Sequence, residues 1–109
     1  MNYTVNITPQ AEADLRDIFE YIAFELLEAT NAVHQIQRLE ESILSLDQMP
    51  SRYRAYAKEP WHSRGLRVMP VDNYLVFYIP DGAAQVVTVI RVMYGGRDMD
   101  AQLNQFTEA

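Results

Sequence analysis

The sequence contains no cysteine. Disulfide scaffolds and thiolate zinc sites are therefore excluded, and a reducing, cytoplasmic setting is expected. Lysine occurs once, as Lys58. The other cations are arginines, which suit planar, bidentate recognition better than diffuse charge. No apolar run approaches the ~20 residues of a membrane span. The stretch Met1–Asn6 has no basic segment followed by an apolar one, so neither a signal peptide nor a membrane partner is expected. The pair Gly95-Gly96 makes no phosphate loop or dinucleotide fingerprint. His34 and His62 are the only histidines. Neither has a ligand partner at i+3 or i+4, so no metal site is expected. No G-x-S-x-G is present, and Ser42, Ser45, Ser51 and Ser63 have no visible base. No cofactor is called for.

What is present fits one soluble domain. The chain has 109 residues, 49% apolar and 22% charged, which is too apolar for disorder and too short for a separate cofactor domain. The net charge is −6, which argues against a chain that binds DNA directly by neutralising phosphates. The charge is uneven. Residues 1–49 set Arg16 and Arg38 against nine acids, a net of −7, whereas residues 50–109 carry +1. Within the second part, residues 50–71 hold Arg52, Arg54, Lys58, Arg64 and Arg67 against Glu59 alone, a net of +4.

Periodicity predicts an α+β chain in the order β-α-α-β-β-β. Tyr3, Val5 and Ile7 alternate with polar residues, as in a half-buried strand. Thr8-Pro9 is an N-cap followed by a first-turn proline. Ala11, Leu15, Ile18, Phe19, Ile22 and Leu26 share a helical face, predicting a helix over about 9–28. Glu12, Asp14 and Asp17 fall early in it, where the macrodipole favours acids. Thr30 or Asn31 can cap a second helix. Its seam of Ala32, Ile36, Leu39, Ile43 and Leu46 suits an antiparallel hairpin, and Pro50 stops it. Residues 51–65 show no period and read as a long connection, often a functional feature. Three strands follow, at 66–71, 74–79 and 86–94. The turns Asp72-Asn73 and Pro80-Asp81-Gly82 join them into an antiparallel meander against the helical hairpin. Residues 98–106 suit a short closing helix.

Arginines at strand ends are the chemistry that remains. Arg67 opens the meander, Arg91 lies in its last strand and Arg97 just beyond. Together they could hold a carboxylate, a phosphate or an acidic helix. The alternative use is pairing with neighbours such as Asp98 or Asp72.

Three stretches resemble the RelE/ParE superfamily of type II toxins, the plasmid stabilisation proteins. They are Ile7-Thr8-Pro9-Gln10-Ala11-Glu12-Ala13-Asp14-Leu15 with Tyr21-Ile22-Ala23, the segment Gly65–Tyr78, and Ile90–Asp98. The resemblance covers nearly the whole chain as a single toxin domain. It implies the same β-α-α-β-β-β fold and a neighbouring antitoxin that wraps the toxin, in a heterotetramer or a larger complex. Two activities occur in the superfamily. RelE-like members cut mRNA on the ribosome, and ParE-like members poison DNA gyrase without known chemistry.

Cutting RNA needs a base, an acid and a cation on the phosphate. In the ribonuclease branch an arginine commonly follows the central tyrosine, but Leu75 follows Tyr74 here. Some of its members end the last strand with a His-Tyr pair, but Met93 precedes Tyr94. Glu59, Arg67 and Tyr94 are the residues an altered nuclease would use. The end Arg91–Asp98 is closer to the ParE-like branch, and the acidity of the chain disfavours work among ribosomal phosphates. The expected function is thus a ParE-like, gyrase-binding toxin, with the mRNA endonuclease as alternative. The expected target-facing residues are Arg67, Arg91, Tyr94, Arg97 and Asp98. Leu66, Tyr74 and Phe77 are the expected antitoxin contacts, beside an apolar groove between helices and sheet.

Overall fold

The computed structural model describes residues 2–96 and 98–106. The first strand, β1 (Thr4–Ile7), leads directly into α1 (Pro9–Glu20). Thr8 caps this helix by accepting the Ala11 N–H at 3.1 Å, and Pro9 takes the first turn, where no donor is needed. The helix is shorter than the 9–28 expected. At Tyr21–Glu25 it widens into one π turn, in which the Leu26 N–H reaches back to the Tyr21 carbonyl at 3.1 Å. Leu27 then adopts φ 55° and the Glu28 N–H returns to the Ile22 carbonyl, ending the helix. The wide turn buries both Ile22 and Ala23 against Ala32.

The second helix, α2 (Ala29–Leu44), begins before Thr30 and Asn31, so neither is its N-cap. The Asn31 amide instead donates to the carboxylate of Glu28, the residue that precedes the helix. Ala32, Leu39 and Ile43 form the buried seam, and Leu46 continues it through a short 3-10 turn at Ser45–Asp47.

The connection over residues 51–65 is more ordered than its lack of period implied. It follows a 3-10 turn at Pro50–Arg52 and contains a two-residue strand, β2 (Arg54–Ala55), paired antiparallel with β3 (Arg67–Val71). Gly65, at φ 83°, makes the tight turn into β3. Next come β4 (Tyr74–Asp81) and β5 (Val86–Tyr94), which complete the expected meander. The sheet order is β1-β5-β4-β3-β2, with β1 parallel to β5. The ladder slips once: Tyr78 faces Val89 but Phe77 faces Arg91, leaving Ile90 as an extra residue. The closing helix, α3 (Met99–Phe106), is present.

Strand alternation gives the sheet two apolar faces. On one, Met69, Val76, Tyr78, Val87 and Val89 meet Leu39, Ile43 and Leu46 of the hairpin. On the other, Val68, Phe77, Ile90 and Met93 are covered by Trp61, Leu66 and Leu103, the last from α3. Each fully buried large side chain contributes ~1.5–3 kcal/mol of burial. The sheet is thus a middle layer, and what each face leaves uncovered defines the surface open to partners.

Candidate functional site

A groove of about 910 Å³ lies between the helical hairpin and the ends of β4 and β5. Ile18, Tyr21, Leu26, Tyr74 and Met93 give it an apolar lining. At its base Arg91 is nearly sealed from solvent, at 8% exposure. Its Nε donates to Asp14 Oδ2 at 2.7 Å and its Nη2 to Asp14 Oδ1 at 3.0 Å. The Val92 N–H adds a third bond to the same carboxylate at 2.9 Å. This bidentate pair ties α1 to β5. The Tyr74 and Tyr94 rings meet edge to face at 5.5 Å, with Tyr94 largely exposed. Burial pushes the Tyr74 phenol above its ordinary pKa, and the phenols of Tyr94 and Tyr21 add to the shift. At the mouth, Arg38 Nε and Gln35 Nε2 donate to Asp72 Oδ2 at 2.7 and 3.0 Å. These bonds hold the Asp72 carboxyl below the usual carboxylate range, with Arg38 contributing most.

The opposite sheet face carries a smaller cleft of about 310 Å³, lined by Arg54, Tyr56, Lys58, Asp98 and Asp100 among others. The Tyr56 hydroxyl donates to Asp100 Oδ1 at 3.2 Å. Burial first, and then the Asp100 carboxylate, raise its pKa. Asp98 accepts the Ala101 N–H at 3.1 Å and so caps α3. Glu59 stands in an exposed turn, where its oxygens accept the Ser63 N–H at 2.9 Å and the Ser63 hydroxyl at 2.7 Å. The hydroxyl bond, followed by the backbone one, lowers its pKa and makes it a weaker base. Arg67 points its guanidinium at the carbonyls of Tyr53 and Ser51, at 2.6 and 3.2 Å.

Residues 5–99 match the family described as the ParE toxin of the type II toxin–antitoxin system parDE. The chain belongs to the ParE toxin family. No curated protein matches it. Among solved structures, a chain of the chromosomal ParDE toxin–antitoxin system of P. aeruginosa is similar at 19% identity and a TM-score of 0.68, over 84% of this chain and 95% of that one. The RelBE2 toxin–antitoxin complex of Mycobacterium tuberculosis gives 21% identity and a TM-score of 0.64, over 86% of this chain and 99% of that one. A mutant of the E. coli toxin RelE in the free state gives 16% identity and a TM-score of 0.62, over 91% and 90%. At such identities these structures speak for the fold.

The ParE-family fold brings some predicted residues together and separates others. Arg91, Tyr74 and Tyr94 share the groove. Arg67 does not join them. It lies four positions along β3 from Val71, which pairs with Tyr74, itself opposite Tyr94. That is ~13 Å along the strands. Glu59, Arg67 and Tyr94 therefore form no catalytic cluster. The predicted arginine group is not convergent either, because Arg67 turns to loop carbonyls and Arg91 to Asp14. Arg97 lies outside the described residues. Leu66 and Phe77, expected as antitoxin contacts, are fully buried beneath Trp61 and Leu103 on the face away from the groove. Of the three expected contacts, Tyr74 alone lines the groove. Sequence reading missed Asp14 as the partner of Arg91. The signal was there: Ala11, Asp14, Leu15 and Ile18 share one helical stripe, and an acid on an apolar stripe needs a buried cation. Among the described residues no three His, Cys, Asp or Glu side chains gather as metal ligands. No helix among them is long and apolar enough to cross a membrane.

Proposed function

We propose that this ParE-family chain is the toxin of a type II toxin–antitoxin pair that arrests growth by binding DNA gyrase, without chemistry of its own. The observation that carries the reading is the family match over residues 5–99. The separation of Glu59, Arg67 and Tyr94 supports it, because general acid–base cleavage needs its groups within hydrogen-bond reach of one substrate. Tyr94 and Asp98, both exposed, would present the target-facing end. The cognate antitoxin would occupy the groove beside Tyr74 and Tyr94 and neutralise the toxin by covering it. Supercoiling by purified gyrase tests the reading. Inhibition at micromolar toxin, relieved by the product of the adjoining reading frame, is expected. Full supercoiling at that concentration overturns it.

One observation favours a second reading, a ribosome-dependent mRNA endonuclease. The smaller cleft sets the cations Arg54 and Lys58 beside the Tyr56 phenol, with the carboxylates of Asp98 and Asp100 in the same lining, and the two cations are the groups a phosphodiester would meet. Primer extension on messages after induction separates the two. Discrete cuts that disappear with Arg54→Ala would favour cleavage over gyrase binding.

A further inference from the structure

The groove on the hairpin side has an unbalanced charge. Two arginines line it, Arg38 and Arg91, and each already carries a carboxylate, from Asp72 and Asp14. Asp17 and Glu28 also line it, and neither enters an ion pair among the described residues. Glu20 and Glu25 stand exposed along the same hairpin. The lining therefore combines an apolar floor with uncompensated negative charge at its rim. Along this edge of β5 the Ile90 carbonyl accepts the Thr8 hydroxyl at 3.2 Å, and the Val92 N–H is held by Asp14.

We infer that the groove selects a cationic amphipathic peptide segment, with apolar side chains on Ile18, Leu26, Tyr74 and Met93 and at least one arginine or lysine meeting Asp17 and Glu28. This rests on the toxin–antitoxin reading above, and it identifies the docking part of the antitoxin as locally basic, whatever the net charge of the whole antitoxin. Asp17 and Glu28 become the residues that decide which antitoxin fits. Rim charges at an interface govern partner choice and salt dependence more than raw affinity.

The test uses the purified full chain and a displayed library of random 16-residue peptides, selected in parallel on the native protein and on the double variant Asp17→Asn/Glu28→Gln. Both positions are exposed, so folding is expected to survive, and circular dichroism checks it. Peptides selected on the native chain are expected to be rich in arginine and lysine beside apolar residues. The best of them should bind the double variant about three- to tenfold more weakly, in line with two partly exposed ion pairs. Raising the salt should erase that difference. Tyr94→Ala should weaken the same peptide and so locate it in the groove. Selection without basic enrichment, or equal affinity for the two proteins, overturns the inference. A toxin dimer that the peptide cannot dissociate makes a second copy the occupant and overturns it as well. Competition by the adjoining reading-frame product tests the underlying reading separately. If that product leaves a basic, groove-bound peptide in place, the antitoxin assignment falls and the selectivity of the groove stands.

Discussion

The two faces of the sheet are closed by different means. On the hairpin side, α1 and α2 supply a broad apolar layer, and a buried ion pair fixes the angle at which α1 meets β5. That layer stops short of the strand ends, and the groove is what it leaves open. On the other side, a loop indole and one short helix do the covering. Trp61 donates its Nε1–H to Asn104 Oδ1 at 2.9 Å, Tyr56 reaches Asp100, and Leu103 is fully buried. A face closed by a long-range helical hairpin can keep an open site beside a rigid core. A face closed by a short terminal helix depends on each contact of that helix. The difference leaves the open groove beside the rigid core on the hairpin side and the contact-dependent cover on the other.

The strongest way to break this contrast is Trp61→Ala. Trp61 is 2% exposed, and its removal leaves a cavity under the loop that costs about 4 kcal/mol. Urea unfolding measures the loss. Amide exchange should show α3 deprotected first, while the hairpin amides keep their protection. Equal loss over both faces would mean that the two are one cooperative unit. Asp14→Ala is the corresponding insult to the hairpin face. It leaves the Arg91 guanidinium nearly buried without its carboxylate and frees the Val92 N–H, at about 3 kcal/mol. Here the expected pattern is reversed, with exchange rising in α1 and at the end of β5. Asp14→Asn keeps the shape and should recover part of the loss.

Much of this architecture was legible in the chain. The meander was, because period-2 alternation and the Asp72-Asn73 turn are local signals, although Pro80 and Asp81, expected in the second turn, close β4 and the chain reverses over residues 82–85. The helical hairpin was, because its seam repeats at spacings of three and four. The π turn was not. Residues 21–25 keep a helical pattern, and it is the demand that both Ile22 and Ala23 reach Ala32 that widens the backbone. The place of β1 was also hidden, since its parallel partner β5 lies some eighty residues away and no turn links them. The site suffered most from this. Individual residues such as Tyr74, Arg91 and Tyr94 stood out, but their grouping depended on tertiary register. Leu66 and Phe77 looked like partner contacts because nothing in the sequence says that Trp61 and α3 will cover them. Arg91 looked like a ligand cation because Asp14 is 77 positions away in sequence.

A smaller effect sharpens the view of the hairpin-side core. Tyr78 is fully buried and donates its hydroxyl to the Pro50 carbonyl. Burial pushes its pKa up to about 12 from 10.0. The folded state thus favours the neutral phenol. The resulting stability is intact below pH 10, where both states hold the proton. It is lost as pH rises toward 12, because the unfolded chain ionises first. Tyr78→Phe should cost about 1 kcal/mol at neutral pH through the lost bond. It should also flatten the decline in unfolding free energy above pH 10. A decline of unchanged slope would assign the alkaline loss to other groups.

The smallest effect belongs to the mouth of the groove, and its smallness is informative. The Arg38–Asp72 pair is short, at 2.7 Å, but both side chains are about half exposed. Water screens them, so Arg38→Ala should cost no more than about 0.5 kcal/mol of stability. Since the Asp72 pKa is lowered in the fold, that contribution is present above its ordinary value of 3.8 and vanishes as pH falls below it. The variant should therefore converge with the native chain in unfolding experiments once the pH has fallen through the lowered Asp72 pKa. If its cost approached that of Asp14→Ala instead, the mouth would be part of the structural core, and the distinction between a rigid base and an adaptable rim would have to be abandoned.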